Sequence, residues 1–170
     1  KFQFENSSGV ATNANELYFI NLNRARYREE MDAGNWKILL QGSAGTFQFI
    51  DDSGQKFGDD LGRAGRVFKV VSGSLNIGTE DEATIVSTTG TNGEGFGSFY
   101  PDRGIIVLNA KAIGSTVGNI TFVRDGSVVT QQLSGSLQTN EHKYNHVGLY
   151  EAIKAGGDFE ARRTENVNTQ

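Results

Sequence analysis

The segment "NITFVRDGSVVTQQL" (119–133) indicates the fold more directly than any other part of the chain. Two runs rich in β-branched residues flank Asp125 and Gly126. Asp-Gly is a preferred pair for a two-residue type I′ turn, because both central residues of that turn take positive φ angles. The segment therefore predicts an antiparallel β-hairpin with Asp125 and Gly126 at its tip.

The same pattern continues along the chain on the N-terminal side of this hairpin. Six further β-rich runs are "ELYFINL" (16–22), "WKILLQG" (36–42), "TFQFID" (46–51), "RVFKVVSGSLNIG" (66–78), "ATIVSTT" (83–89) and "GIIVLNA" (104–110). Gly, Asn, Asp and Ser separate the runs at near-regular spacing. Such a pattern predicts a mainly β fold, an antiparallel sandwich or an open barrel.

Two short peripheral helices are predicted beside the strands. "RARYREEMD" (24–32) contains good helix formers between Asn23, a residue type that caps helix N-termini, and Gly34, which suits a left-handed C-cap. "YNHVGLYEAIKAGG" (144–157) spaces its apolar residues on one face and ends in two glycines, which predicts a helix over 144–156. Both helices are short, so packing on the sheet must stabilise them.

Length and composition favour one loop-rich domain. The 170 residues are enough to bury a core, and 22 glycines with a single proline suit short strands and many turns. The Gly-rich, polar stretches 52–65 and 87–98 are predicted to be exposed loops. We expect residues 1–170 to form one β-rich domain of a longer polypeptide, because the first residue is Lys1 and the polar end at 158–170 lacks an apolar anchor.

Charge and cysteine content exclude several classes of partner. Sixteen basic and 20 acidic residues give a net charge of −4 without a basic stripe, so neither nucleic acid nor a membrane surface is an expected partner. The absence of cysteine excludes disulfides and thiolate metal sites. No stretch approaches the roughly 18 apolar residues of a membrane span, and no signal-peptide pattern opens the sequence.

Residues that would support catalysis or metal binding are few. His142 and His146 are four apart, but no H-E-x-x-H arrangement accompanies them. Adjacent acidic residues occur at 51–52, 59–60 and 80–82, where solvated loop ends are a commoner explanation than the acid pair of a glycosidase. The segment 51–60 lacks the alternating ligands of a calcium loop. We therefore expect a protein that is not an enzyme and uses no metal or cofactor.

The segment "RYREEMDAGNWKILLQG" (26–42) supports two interpretations. In one, Trp36 buries its ring and finds one partner for its N–H, while Arg26 and Glu30 form a solvated pair. In the other, the arginines beside Tyr27 contact a neighbouring subunit, because arginine and aromatic residues are enriched at interfaces. The residues predicted to form an interface are Arg24, Arg26, Tyr27, Arg28, Trp36 and Tyr100.

The segment "FGSFYPDRGIIVLNAKAI" (96–113) predicts a tight turn at Pro101-Asp102-Arg103-Gly104 between an aromatic strand and an apolar strand. Together with "RARYREEMDAGNWKILLQG" (24–42) and "FEARRTENVNTQ" (159–170), it resembles the large virion structural proteins of contractile-tailed phages (myoviruses) of cyanobacteria and other marine bacteria. Those proteins carry an arginine-rich segment before D-x-G-N-W, and an F-Y-P-D-x-G turn before an apolar strand. The matched segments cover about a quarter of the chain. The matching residues are Asp32, Gly34, Asn35, Trp36, Phe99, Tyr100, Pro101, Asp102, Gly104, Leu108 and Asn109, with Ala33 where the family has proline.

The resemblance implies a non-enzymatic structural protein of a bacteriophage virion, which is made in the host cytoplasm and mediates subunit assembly in the tail or baseplate. Its partners would be other virion proteins and copies of itself. A capsid- or neck-associated protein is the alternative within this class. A second alternative is a glycan-binding module of a receptor-binding fibre, with Tyr100, Tyr144 and Tyr150 as platforms for a host-surface glycan. An enzyme that degrades cell-wall polysaccharide is the third.

Overall fold

The computed structural model describes residues 2–23, 30–55, 59–60, 65–76, 83–134, 145–157 and 159–162. About half of these residues lie in β-strands, and two short α-helices accompany them. The strands form a curled, antiparallel half-barrel, which confirms the predicted mainly β fold class. Neither α-helix in this part of the chain has the length and apolar character that crossing a bilayer requires.

The strands and helices are numbered here in chain order. They are β1 (Gln3–Glu5), β2 (Ala11–Asn13), β3 (Leu17–Asn21), β4 (Trp36–Gly42), β5 (Gly45–Asp51), β6 (Asp59–Asp60), β7 (Arg66–Ser74), β8 (Thr84–Ser87), β9 (Gly97–Tyr100), β10 (Ile105–Asn109), α1 (Ala110–Val117), β11 (Asn119–Arg124), β12 (Ser127–Gln132), α2 (Asn145–Gly156) and β13 (Phe159–Ala161).

The main sheet has the strand order β13-β4-β5-β7-β9-β10-β3, and β6 and β8 also pair with β7. The β1–β2 and β11–β12 pairs form two separate hairpins. All of these pairings are antiparallel. Strand β7 lies at the centre, because the nine residues of Arg66–Ser74 are long enough to pair with several shorter strands.

The main core lies between the sheet and helices α1 and α2, and a smaller buried cluster consists of Ile50, Val71 and Leu75. Strand β4 shows the expected period of two: Trp36, Ile38 and Leu40 are all 0% exposed. The ring centroids of Trp36 and Phe99 are 5.2 Å apart, and the two rings are tilted by 60°, which is an arrangement that aromatic pairs favour. This apolar face is what binds the helices, so burial rather than helix propensity holds them in place.

The predicted strands and the second predicted helix are all present. Each of the eight β-rich runs contains a strand, and the helix predicted over 144–156 is α2. The β11–β12 hairpin has its predicted turn, with φ angles of 50° at Asp125 and 76° at Gly126. Most of the helix predicted over 24–32 lies outside the described residues. Its last residues are not helical, and Glu30 pairs with Arg66 at 2.6 Å.

Helix α1 was not predicted from the sequence. Its residues, "AKAIGSTV", include glycine and β-branched types that favour helices weakly. The Asn109 side chain caps it by accepting a hydrogen bond from the Lys111 N–H at 3.2 Å. Ile113 and Val117 are both 0% exposed. The helix therefore depends on one cap and on core contacts.

The prediction that 87–98 is an exposed loop was wrong for its second half. Phe96 is 1% exposed and its ring meets that of Phe49 edge-on, with the centroids 5.0 Å apart. The Asn109 side-chain amide donates to the Gly95 carbonyl at 3.1 Å, which ties this segment to the start of α1. A polar, Gly-rich stretch is thus held inside the fold by one phenylalanine and one buried asparagine.

Candidate functional site

A groove of about 850 Å³ lies between the β1–β2 hairpin and the outer face of the main sheet at β7 and β9. Phe68 and Phe99 are opposite each other in register and point into the core. Because side chains alternate along a strand, the residues beside them point outward into the groove. These outward residues are Val67 and Lys69 on β7, and Ser98 and Tyr100 on β9.

The hairpin that forms the opposite wall is fixed in place by its turn. The Asn6 side-chain carbonyl accepts hydrogen bonds from the backbone N–H groups of Ser8, at 3.0 Å, and Val10, at 2.9 Å. This Asx-type turn holds the two short strands together. The Ser7 N–H donates to the Gly93 carbonyl at 2.9 Å, which joins the turn to the segment before β9. The wall is therefore attached to the body of the protein at its tip.

Charged groups in the groove pair with one another. The Lys69 ammonium forms a salt bridge with the Glu5 carboxylate, which connects the floor of the groove to the hairpin wall. Asp52 is 4% exposed and accepts a hydrogen bond from the Lys69 backbone N–H at 2.8 Å. Two carboxylates thus stand against one ammonium, so the groove carries no excess of positive charge.

Two hydroxyl groups of the groove remain available to a ligand. The hydroxyls of Ser98 and Tyr100 make no hydrogen bond to any other residue that the structure describes. Tyr100 is partly exposed and its side chain lines the groove. A concave site of this volume with a few placed polar groups lies within the usual range for small-molecule binding, about 300–1,000 Å³.

The acid pair at 51–52 accepts hydrogen bonds from backbone N–H groups of neighbouring segments. Both carboxylate oxygens of Asp51 accept from the Gly34 N–H, at 3.0 and 2.9 Å, and one also accepts from the Ser53 N–H at 3.0 Å. Asp51 is 2% exposed, and burial raises its pKa although the hydrogen bonds from Ser53 and Gly34 act to lower it. The carboxylate therefore joins the turn before β4 to the end of β5.

The other candidate chemical groups are not brought together within the part of the chain that the structure describes. Residues 80–82 and His142 lie outside the described residues, and His146 is exposed on α2. Asp59–Asp60 forms strand β6. Within the described ranges, no three His, Cys, Asp or Glu side chains come together as metal ligands.

The structure describes only two of the predicted interface residues, Trp36 and Tyr100. Arg24, Arg26, Tyr27 and Arg28 lie outside the described residues, so their contact with a partner stays a prediction. Tyr100 lines the groove.

Trp36 requires a correction. It is 0% exposed, so the core interpretation is right and its assignment to an interface was wrong. The partner predicted for its N–H was also wrong, because the buried Nε1 atom has no hydrogen-bond partner in the described structure. The ring stays in place through its contact with Phe99 and the surrounding core.

A second surface of note is the outer face of the β11–β12 hairpin. Val123 and Val128 lie directly opposite each other and are 71% and 72% exposed. The adjacent pair on the same face, Thr121 and Thr130, is joined through the two hydroxyls at 2.9 Å. Sequence reasoning found the hairpin but missed this face, although the alternation within "VRDGSVV" was a signal for it. The result is a β-branched surface exposed to solvent.

No protein family, curated protein or solved structure matches this sequence. The groove and the hairpin face are therefore interpreted from their own geometry and chemistry.

Proposed function

We propose that this chain is a non-enzymatic structural protein of a bacteriophage virion that assembles with copies of itself and with other virion proteins in the tail or baseplate. A capsid- or neck-associated position is the alternative within the same class. The resemblance of segments 24–42, 96–113 and 159–170 to myovirus structural proteins supports the phage origin. The exposed face of the β11–β12 hairpin supports the assembly role.

The hairpin is suited to bind another protein because it is both apolar and incompletely paired. Within the described chain, β11 and β12 pair only with each other, so each strand has a second edge that no other strand covers. Uncovered edges are templates for additional strands. Burying a valine side chain contributes roughly 1.5 kcal/mol or more, and the cross-strand pair of Val123 and Val128 supplies two. A neighbouring subunit that covers this face would bury both valine side chains together.

The environment of the acidic residues supports a role without catalysis. Asp51 and Asp52 are buried, and their carboxylates accept hydrogen bonds from backbone N–H groups. A glycosidase needs two carboxylates that face its substrate together across an open cleft. Of this pair only Asp52 lines the groove, while Asp51 is held by the Gly34 and Ser53 N–H groups, which favours a structural protein over a glycosidase.

The Val123→Glu/Val128→Glu double variant is expected to weaken self-association at least about tenfold, because it replaces two apolar contacts by two charges that would have to lose their hydration. Val86→Glu is the matched control, since Val86 is 78% exposed on a different strand. Sedimentation velocity over a range of protein concentrations measures the association. A wild type that is monomeric at every concentration would contradict self-assembly through this face.

The virion location has its own test. Gold-labelled antibody raised against the chain should mark the tail or baseplate of purified particles. Label on the neck or capsid would favour the alternative position, and particles without label would contradict a virion role.

A further inference from the structure

We infer that the groove between the β1–β2 hairpin and the outer face of β7 and β9 is a binding site for a neutral saccharide. This site is separate from the hairpin face of the assembly proposal. It does not require the proposed virion role, because it depends only on the groove's own residues.

The groove is a built feature of the fold with two fixed sides. Its floor consists of side chains from two paired strands, with Lys69 opposite Ser98. Its wall is held by the Ser7–Gly93 hydrogen bond and by the salt bridge between Glu5 and Lys69. A site whose walls are already positioned loses less entropy when a ligand binds.

The charges argue against anionic ligands. Phosphate and nucleic acid sites present ammonium or guanidinium groups in excess. In this groove the Lys69 ammonium is already paired with Glu5, and the Asp52 carboxylate lies beside the Lys69 backbone. An anion would approach two carboxylates and displace an existing ion pair. A neutral ligand would not.

The apolar residues of the groove argue against a lipid. Phe68, Val70 and Phe96 contribute to its lining but are 4%, 1% and 1% exposed, because their side chains belong to the core. Besides them and Phe4, which is 5% exposed, only Val67 and Ala11 present apolar side chains to the groove, and two small side chains form no channel for an acyl chain. The groups that remain include the neutral hydroxyls of Ser7, Thr88 and Ser98, which suit the hydroxyls of a sugar. Gln3 and Asn6 also line the groove and already form hydrogen bonds within the hairpin.

Tyr100 supplies the feature that distinguishes a sugar from other neutral polar ligands. An aromatic ring has a negative face, which attracts the slightly positive C–H groups on one side of a pyranose. Ser98 lies two residues before Tyr100 on the same face of β9, about 7 Å away along the strand. One pyranose ring spans such a distance, so it can stack on Tyr100 while a hydroxyl reaches Ser98.

Saturation-transfer proton NMR on the full chain tests the site for the organic probes, and phosphorus NMR line broadening tests it for inorganic phosphate. The neutral probes are three trisaccharides: cellotriose, maltotriose and tri-N-acetylchitotriose. Sialyllactose and inorganic phosphate are the anionic probes, and a neutral hexapeptide is the non-sugar probe. We expect transfer to the ring C–H protons of at least one neutral trisaccharide. The anionic probes and the peptide should bind at least tenfold more weakly.

Variants of two tyrosines then locate the bound sugar. Tyr100→Ala should weaken binding at least tenfold, whereas Tyr100→Phe keeps the ring and should stay within about threefold of wild type. Tyr150→Ala is the matched control, since Tyr150 is 62% exposed on α2 and does not line the groove. The Val123→Glu/Val128→Glu variant should bind like wild type, which separates this inference from the assembly proposal.

Three results would overturn the inference. The first is that no neutral trisaccharide binds. The second is that Tyr100→Ala binds as tightly as wild type while its melting temperature shows that it is folded. The third is that phosphate, sialyllactose or the peptide binds more tightly than every neutral sugar.

Discussion

Gly97→Ala is expected to destabilise the fold by about 3 kcal/mol, at the upper end of the cost of inserting an extra group into a packed interior. A Cβ atom at this position would lie 2.1 Å from the Val107 carbonyl oxygen and 3.1 Å from the Leu108 Cα. Both atoms belong to the backbone of β10, which pairs with β9 at this point. Neither can move aside without breaking strand pairing in the middle of the sheet.

Gly54→Ala provides the control for this effect. Its Cβ would make an ordinary contact of 3.6 Å with the Ala83 side chain. The free energy of unfolding of Gly54→Ala should therefore differ from that of wild type by less than about 0.5 kcal/mol. Urea unfolding of both variants measures the difference, and an equal loss in the two, or none in Gly97→Ala, would show that the close approach of β9 and β10 is not rigid.

Asp51→Ala is expected to destabilise the protein by a similar amount, about 3 kcal/mol, because it leaves two partly buried donors without their charged acceptor. These are the backbone N–H groups of Gly34 and Ser53. Asp51→Asn keeps one acceptor oxygen and is expected to lose about half as much. Thermal or urea unfolding at neutral pH measures both variants. If Asp51→Ala unfolds with the same free energy as wild type, water satisfies these two donors instead.

The same carboxylate gives a pH dependence whose sign follows from its burial. Burial raises the pKa of Asp51 above its ordinary value of 3.8, so the folded state binds this proton more tightly than the unfolded state. The resulting stabilisation is complete below pH 3.8 and is lost as the pH rises through the raised pKa.

Asp51→Asn does not titrate at this position and so isolates the effect. The stability of wild type minus that of Asp51→Asn should fall as the pH rises from 3.8 and then level off. Unfolding measured for both proteins between acidic and neutral pH gives this difference. A difference that grows with pH would show that the hydrogen bonds from Gly34 and Ser53 outweigh the cost of burial.

Several features could be predicted from the sequence because their causes are local. The β11–β12 turn needs only Asp125 and Gly126, whose conformational preferences act within the hairpin itself. The burial of alternate residues in β4 follows from the period of a strand, so "WKILLQG" predicts both the strand and its inner face. Helix α2 ends at its predicted glycines for a similar reason.

Other features depended on residues distant in sequence and could not be predicted. Helix α1 forms from weak helix formers because Asn109 caps it and the core accepts Ile113 and Val117. Phe96 is buried within a polar segment because Phe49, far earlier in the chain, lies against it. In both cases tertiary contacts outweigh local propensity, which differs between residues by only about 1 kcal/mol.

The candidate groove also depends on contacts between residues that are distant in the sequence. The sequence by itself determined that the chain is β-rich, that Asp125 and Gly126 form a hairpin turn, and that Trp36 begins a strand. Only the tertiary structure decided that Glu5, Lys69 and Tyr100 share one groove, because the antiparallel pairing of β7 with β9 and the position of the β1–β2 hairpin bring them together across nearly a hundred residues. Strand pairing between distant segments depends on the burial of whole faces, which no local stretch of sequence encodes.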